Sequence, residues 1–169
     1  MSTDPASENP KWAEFSTEEF EKRCEASMEL EEEWLEKNFE PISEFLSEMD
    51  DGLIDDSELE VLHFLVSRVV FSCLPTKGLK LPSLTTDELW KESNDLLAEI
   101  ESWNNNGLPF SEIPAEIQKH SVQPAAIDFS LNMLTEFGAD EDATVRPDSI
   151  IPIVGQIEAV LRRLKAHLA

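Results

Sequence analysis

LEVLHFLVSRVVFSCL, residues Leu59 to Leu74, is the most apolar run in the chain. Only Glu60, His63, Ser67, Arg68 and Ser72 interrupt it. That is too few polar residues to keep half of a helix wetted, so the run reads as a helix enclosed on most sides. It is shorter than the roughly 20 residues needed to cross a bilayer, and acids precede it closely, so a buried core helix is expected rather than a membrane span. The expected fold is all-α: a single compact bundle of six to seven helices around a buried central helix at about 57–74.

Immediately upstream lies Asp51-Gly52-Leu53-Ile54-Asp55-Asp56-Ser57-Glu58. Asp55 or Asp56 can cap the central helix through its side chain. The same eight residues resemble the second half of an EF-hand loop, with Asp51, Gly52, Ile54 and Glu58 at loop positions 5, 6, 8 and 12. That resemblance implies weak calcium or magnesium binding by Asp51, Asp55 and Glu58. In this register, however, Ser47 and Met49 stand at positions 1 and 3 and remove two expected oxygen ligands. A helix-to-helix turn with an N-cap uses the same residue types, so the two readings stand side by side.

Further upstream, Ser16 followed by Glu19 forms a capping box, with Phe15 and Phe20 placed as a staple. Phe20, Cys24, Met28, Leu35 and Phe39 then line one helical face, while Leu30 and Trp34 sit on another amid Glu29, Glu31, Glu32, Glu33 and Glu36. Leu30 and Trp34 read either as a lip of the core or as an exposed anchor. Pro41 suits the first turn of a new helix running through Ile42, Phe45, Leu46 and Met49. Residues 1–14, with Pro5 and Pro10, read as a mobile tail ahead of one helical domain spanning 15–169.

Downstream, two prolines and a glycine in PTKGLKLPSL mark a candidate seam at 75–84. Thr85 with Glu88 repeats the capping box, and Leu89, Leu96, Leu97, Ile100 and Trp103 form the stripe of a helix that closes at NNNG. A short helix is expected at 112–120 and another after Pro124, with Ile127, Leu131 and Leu134 on one face. The last helix, Ile150 to Leu168, has near-ideal apolar spacing. Arg162, Arg163 and Lys165 suit its negative pole, or alternatively a small anion site. Sustained apolar alternation and hairpin turn signals are missing, so no strand is expected.

Charge is the strongest compositional feature: 36 acids against 13 bases, net −23. Residues 1–60 carry 21 acids and 4 bases, whereas residues 61–169 carry 15 and 9. Such a field repels nucleic acid and anionic membrane and attracts basic proteins or cations. Cys24 and Cys73 have no CxxC spacing, and the first 20 residues lack a basic start and an apolar run. A reduced, cytoplasmic setting is therefore expected. HExxH, P-loop, GxGxxG and GxSxG patterns do not occur, and His63 with Ser67 on one helix face falls short of a triad.

The resulting expectation is a non-catalytic acidic helical protein that binds a basic partner protein through its N-terminal third, in the manner of an inhibitor, immunity protein or assembly factor. Glu29, Glu31, Glu32, Glu33 and Glu36, joined by Asp50, Asp51, Asp55 and Asp56, are the candidate binding residues, with Trp34 as the apolar anchor. The alternative is a divalent-cation-binding regulatory protein using the Asp51 to Glu58 loop. Neither composition nor spacing fixes the oligomeric state.

Overall fold

The computed structural model describes residues 12–26, 40–48, 54–74, 84–139 and 145–168. Among them seven α-helices form and no strand: α1 (Thr17–Ala26), α2 (Glu40–Ser47), α3 (Asp56–Cys73), α4 (Thr86–Asn105), α5 (Ile113–Lys119), α6 (Pro124–Ala139) and α7 (Ile150–Leu168). The all-α bundle expected from periodicity is the fold observed. Short 3₁₀ turns precede α5 and α7, at Phe110–Glu112 and Pro147–Ser149.

Local chemistry explains most helix starts. At α1 the Ser16 hydroxyl accepts from the Glu19 amide and donates to its carboxylate, and Thr85 and Glu88 repeat this at α4. Asp55 caps α3 in a full capping box, because its side chain accepts from the Glu58 amide while Glu58 accepts from the Asp55 amide. Pro114 occupies the first turn of α5, where a missing N–H costs nothing. After Asn106, Gly107 adopts φ +101°, a left-handed conformation that a side chain would strain, and this ends α4.

Helix α3 packs against α1, α2, α6 and α7, in keeping with its apolar sequence. Leu62, Leu65, Val66, Val69 and Cys73 are inaccessible to solvent, although Phe64 is partly exposed. A second helix shares the centre. α7 packs against α3, α4, α5 and α6, and its Ile153, Val154, Ile157, Val160, Leu161 and Leu164 are buried. Residues on both sides of 75–83 belong to one continuous core, from Phe20 and Phe45 to Val160 and Leu164. Residues 75–83 themselves lie outside those described.

Two details depart from the sequence reading. Leu97 does not join the buried stripe of α4, since the next-door Leu96 turns inward and a 100° step carries Leu97 out to 53% exposure. Trp12 and Ala13, assigned to the tail, are tethered: Trp12 donates to the Leu168 and Val122 carbonyls, and Gln123 donates to the Ala13 carbonyl while accepting from the Phe15 amide. Residues 1–11 lie outside the described residues.

Gly155 interrupts α7 on its α4-facing side. A Cβ there would meet only Leu96 Cδ2, at 4.0 Å, an ordinary contact. Glycine inside a helix costs about 1 kcal/mol relative to alanine, so this gap is not one that packing imposes.

Candidate partner-binding site

Glu29, Glu31, Glu32, Glu33, Trp34 and Glu36 all lie outside the described residues, as do Leu30, Asp50 and Asp51. The structure therefore places only the flanks of that acidic segment. On those flanks Glu14, Glu18, Glu19, Glu21, Glu25, Glu40, Glu44, Glu48, Asp55, Asp56 and Glu60 are all exposed. Glu58 is the one described acid between residues 12 and 60 that is buried. Helix α1 shows why: Phe20 and Cys24, one turn apart, face the core and leave the acids around the rest of the helix in water.

The arginines, by contrast, are consumed internally. Arg23 donates to the Ser72 and Leu74 carbonyls at the end of α3, and Arg68 donates to the Cys24 carbonyl near the end of α1. Both positive groups thus sit at the negative poles of helices. Arg146 holds Glu58, Arg162 holds Glu158 and Glu99, and Arg163 holds Glu88. All five arginines of the chain are accounted for in this way. The basic cluster at the end of α7 is accordingly engaged with carboxylates, and only Lys165 of its three members stands in solvent. The remaining described lysines, Lys22, Lys91 and Lys119, are exposed and few, so the outward potential is strongly negative.

Of the three residues named for cation binding, Asp55 is the N-cap of α3 and Glu58 is committed to protein donors. Its carboxylate receives Arg146 Nη2 at 2.7 Å, Arg146 Nε at 3.2 Å, the Arg146 amide at 2.9 Å and the Asp55 amide at 2.9 Å. Burial pushes the Glu58 carboxyl up, but the Arg146 guanidinium and the two amides outweigh it and hold it down at about 2. Among the described residues no group of three or more potential metal ligands comes together. A cation at Glu58 would have to displace Arg146.

This arrangement predicts an acid-labile latch. A carboxyl whose pKa falls from 4.5 to about 2 on folding contributes stability that is present above pH 4.5 and lost as the pH drops toward 2. Denaturant midpoints measured across that window should fall for the wild type and fall less for Glu58→Gln. Parallel curves for the two proteins would show that the latch does not couple folding to pH.

Among the described residues the three histidines lie apart, each with its own surroundings. His63 is half-buried, with its pKa lowered by desolvation, and the Ser67 hydroxyl donates to the Phe64 carbonyl. His120 stacks on Trp103 with ring centroids 5.2 Å apart and meets Glu116 at 3.0 Å, while His167 meets Glu88 at 2.6 Å. Both thiols are buried; desolvation, first of all, raises the Cys73 pKa and makes that thiolate inaccessible.

Sequence reasoning missed an apolar depression between α4 and α7. A hollow of about 200 Å³ is lined by Trp90, Leu97, Ile100, Ile151, Pro152 and Gly155, among others. It adjoins a wider one of about 670 Å³ bounded by Phe110, Pro114, Asp148 and Ile150, since Ile151 and Pro152 border both. Leu97 at 53% exposure, on the smaller hollow, and Phe110 at 65%, on the wider one, are large apolar side chains left in water. No helix among the described residues is long and apolar enough to cross a membrane. Comparisons with protein-family models, with characterised proteins and with solved structures find no match.

Proposed function

We propose that the protein is a non-catalytic acidic binding protein that captures a basic partner protein through its N-terminal third, as inhibitors, immunity proteins and assembly factors do. The observation that supports this reading is the opposite fate of the two charges. Every arginine is spent on an internal carboxylate or a helix end, whereas the described acids of residues 12–60 other than Glu58 face water. Internal ion pairs alone would not call for so large a surplus of carboxylates. Such a field accelerates encounter with a positively charged surface and rejects like-charged ones. Glu29, Glu31, Glu32, Glu33 and Glu36 would extend it, with Trp34 supplying apolar contact area among them.

The direct test is capture from lysate on immobilised wild type and on a variant with those five glutamates changed to glutamine. Basic proteins should be retained by the wild type at low salt and released at high salt, where the Debye length shrinks to a few ångströms. The variant should retain markedly less. Equal retention by the two proteins, or no salt dependence, overturns the proposal.

A further inference from the structure

We infer that the depression between α4 and α7 is a docking groove for an amphipathic basic helix, one whose apolar residues recur at helical spacing and whose edges carry lysine or arginine. This inference rests on the capture of a basic partner proposed above and names where an apolar segment of that partner would sit.

The groove's surface is apolar and its margin is acidic. Along α4, Asp87, Trp90, Asn94, Leu97 and Glu101 follow one another at spacings of three and four, so they form a single stripe with carboxylates at both ends. Asp148 borders the adjoining wider hollow, and Glu48 accepts a hydrogen bond from the Trp90 indole at 2.7 Å. Lys91 stands one step round the helix, outside that stripe. Apolar residues bracketed by carboxylates match a ligand with the reverse pattern: apolar along its centre and cationic along its flanks.

The gap itself is costly to the fold. Gly155 leaves open a space that a side chain could enter, at the expense of helix stability. Gln156, in the same wall, donates to Ser93 Oγ at 3.1 Å, and the other end of its amide is buried with no partner. Turning the amide over would only exchange which end is left unpaired.

The occupant's form and charge follow from the walls. Both are α-helices whose backbone groups are paired internally, so an extended strand would find no edge to pair with, whereas a helix brings its own hydrogen bonds satisfied. A second copy of this chain would bring another −23 to a surface already negative, which argues against self-association there.

The test uses three labelled peptides: leucines at helical spacing among lysines, the same lysines with the leucines replaced by serine, and the same leucines with the lysines replaced by glutamine. Binding is read by fluorescence anisotropy at low salt against the wild type, against Gly155→Leu, which fills the groove, and against Leu97→Ser with Phe110→Ser, which strips its exposed edges. The leucine–lysine peptide should bind wild type about tenfold or more tightly than the serine–lysine peptide, and each variant should lose about tenfold in affinity for it. Melting curves should show both variants folded; the exposed positions of Leu97 and Phe110 make the second safe if the first is overpacked. Unchanged affinity in both variants overturns the groove. Equal, salt-sensitive binding of the two lysine peptides overturns the groove and leaves the capture proposal standing. No binding of either lysine peptide overturns both, and a leucine–glutamine peptide that binds as tightly as the leucine–lysine one overturns the cationic part of the inference.

Discussion

Glu158→Ala should lower stability by about 3 kcal/mol, the scale on which removing one partner of a buried ion pair acts. Glu158 lies in α7 with no exposure at all. One oxygen receives the Ser121 hydroxyl at 2.5 Å, and the other receives the Val122 amide at 3.2 Å and Arg162 Nε at 2.9 Å. Burial pushes its carboxyl up, and the three donors recover only part of that shift. Alanine would orphan all three donors and leave a void. Arg162 would keep Glu99, at 2.6 Å, so its charge would not be stranded entirely, and the expected loss therefore sits at the lower end of the range. In a chain of this size each kcal/mol moves the melting temperature by about 2–4 °C, so a fall of about 6–12 °C is anticipated.

The consequences should spread beyond α7. The segment that delivers Ser121 and Val122 also holds the N-terminus, because the Val122 carbonyl accepts from the Trp12 indole and Gln123 clamps Ala13 and Phe15. Hydrogen exchange should therefore quicken at the Val122 amide and the Trp12 indole together in Glu158→Ala. Adding Arg162→Leu removes the half-satisfied guanidinium and should restore part of the loss, because an apolar pair is often no worse than a buried ion pair. An unaltered melting temperature in the single variant would mean that these hydrogen bonds contribute no net stability.

How far such features could be read in advance depends on the distance over which they act. Ser16, Asp55, Thr85, Pro114 and Pro124 mark helix starts through groups within three residues of one another, and the structure uses every one. The apolar run of α3 marks it in advance as a core helix, whereas the spacing of α7 marks a helix but not its place beside α3 at the centre. The ion pairs are another matter. Glu58 meets Arg146 across 88 residues, and Ser121 meets Glu158 across 37, so their pairing emerges only once helices have packed. From its neighbours alone Glu58 reads as a cation ligand beside an Asp55 or Asp56 cap, because the competing guanidinium lies far along the chain. The groove was invisible for a similar reason: it needs α4 and α7 side by side, and the spacing places Leu97 in the same stripe as Leu96 although only Leu96 turns inward. The acidic segment Glu29 to Glu36 was legible as charge alone.

Phe45→Ala should be the most damaging single change in the N-terminal third, costing about 3–5 kcal/mol, as expected for removing a fully enclosed ring. Helix α2 spans only eight residues, too few to persist by itself in water, so it exists because Ile42, Phe45 and Leu46 dock it onto α3 and α4. Phe45 meets the Trp90 indole edge-on, with centroids 5.0 Å apart and planes at 71°, and Glu48, one residue past the helix, accepts the indole N–H. The ring and the carboxylate together fix Trp90, which in turn forms one wall of the groove between α4 and α7. Loss of Phe45 should therefore lower the melting temperature by about 10 °C, shift tryptophan emission to the red, and weaken binding of the leucine–lysine peptide to the folded variant. Phe45→Leu keeps most of the volume and should separate these effects: the melting temperature should largely recover, while the indole, deprived of an aromatic partner, should still emit to the red of wild type. If Phe45→Ala melted like wild type, α2 would have to be held by something other than its apolar face.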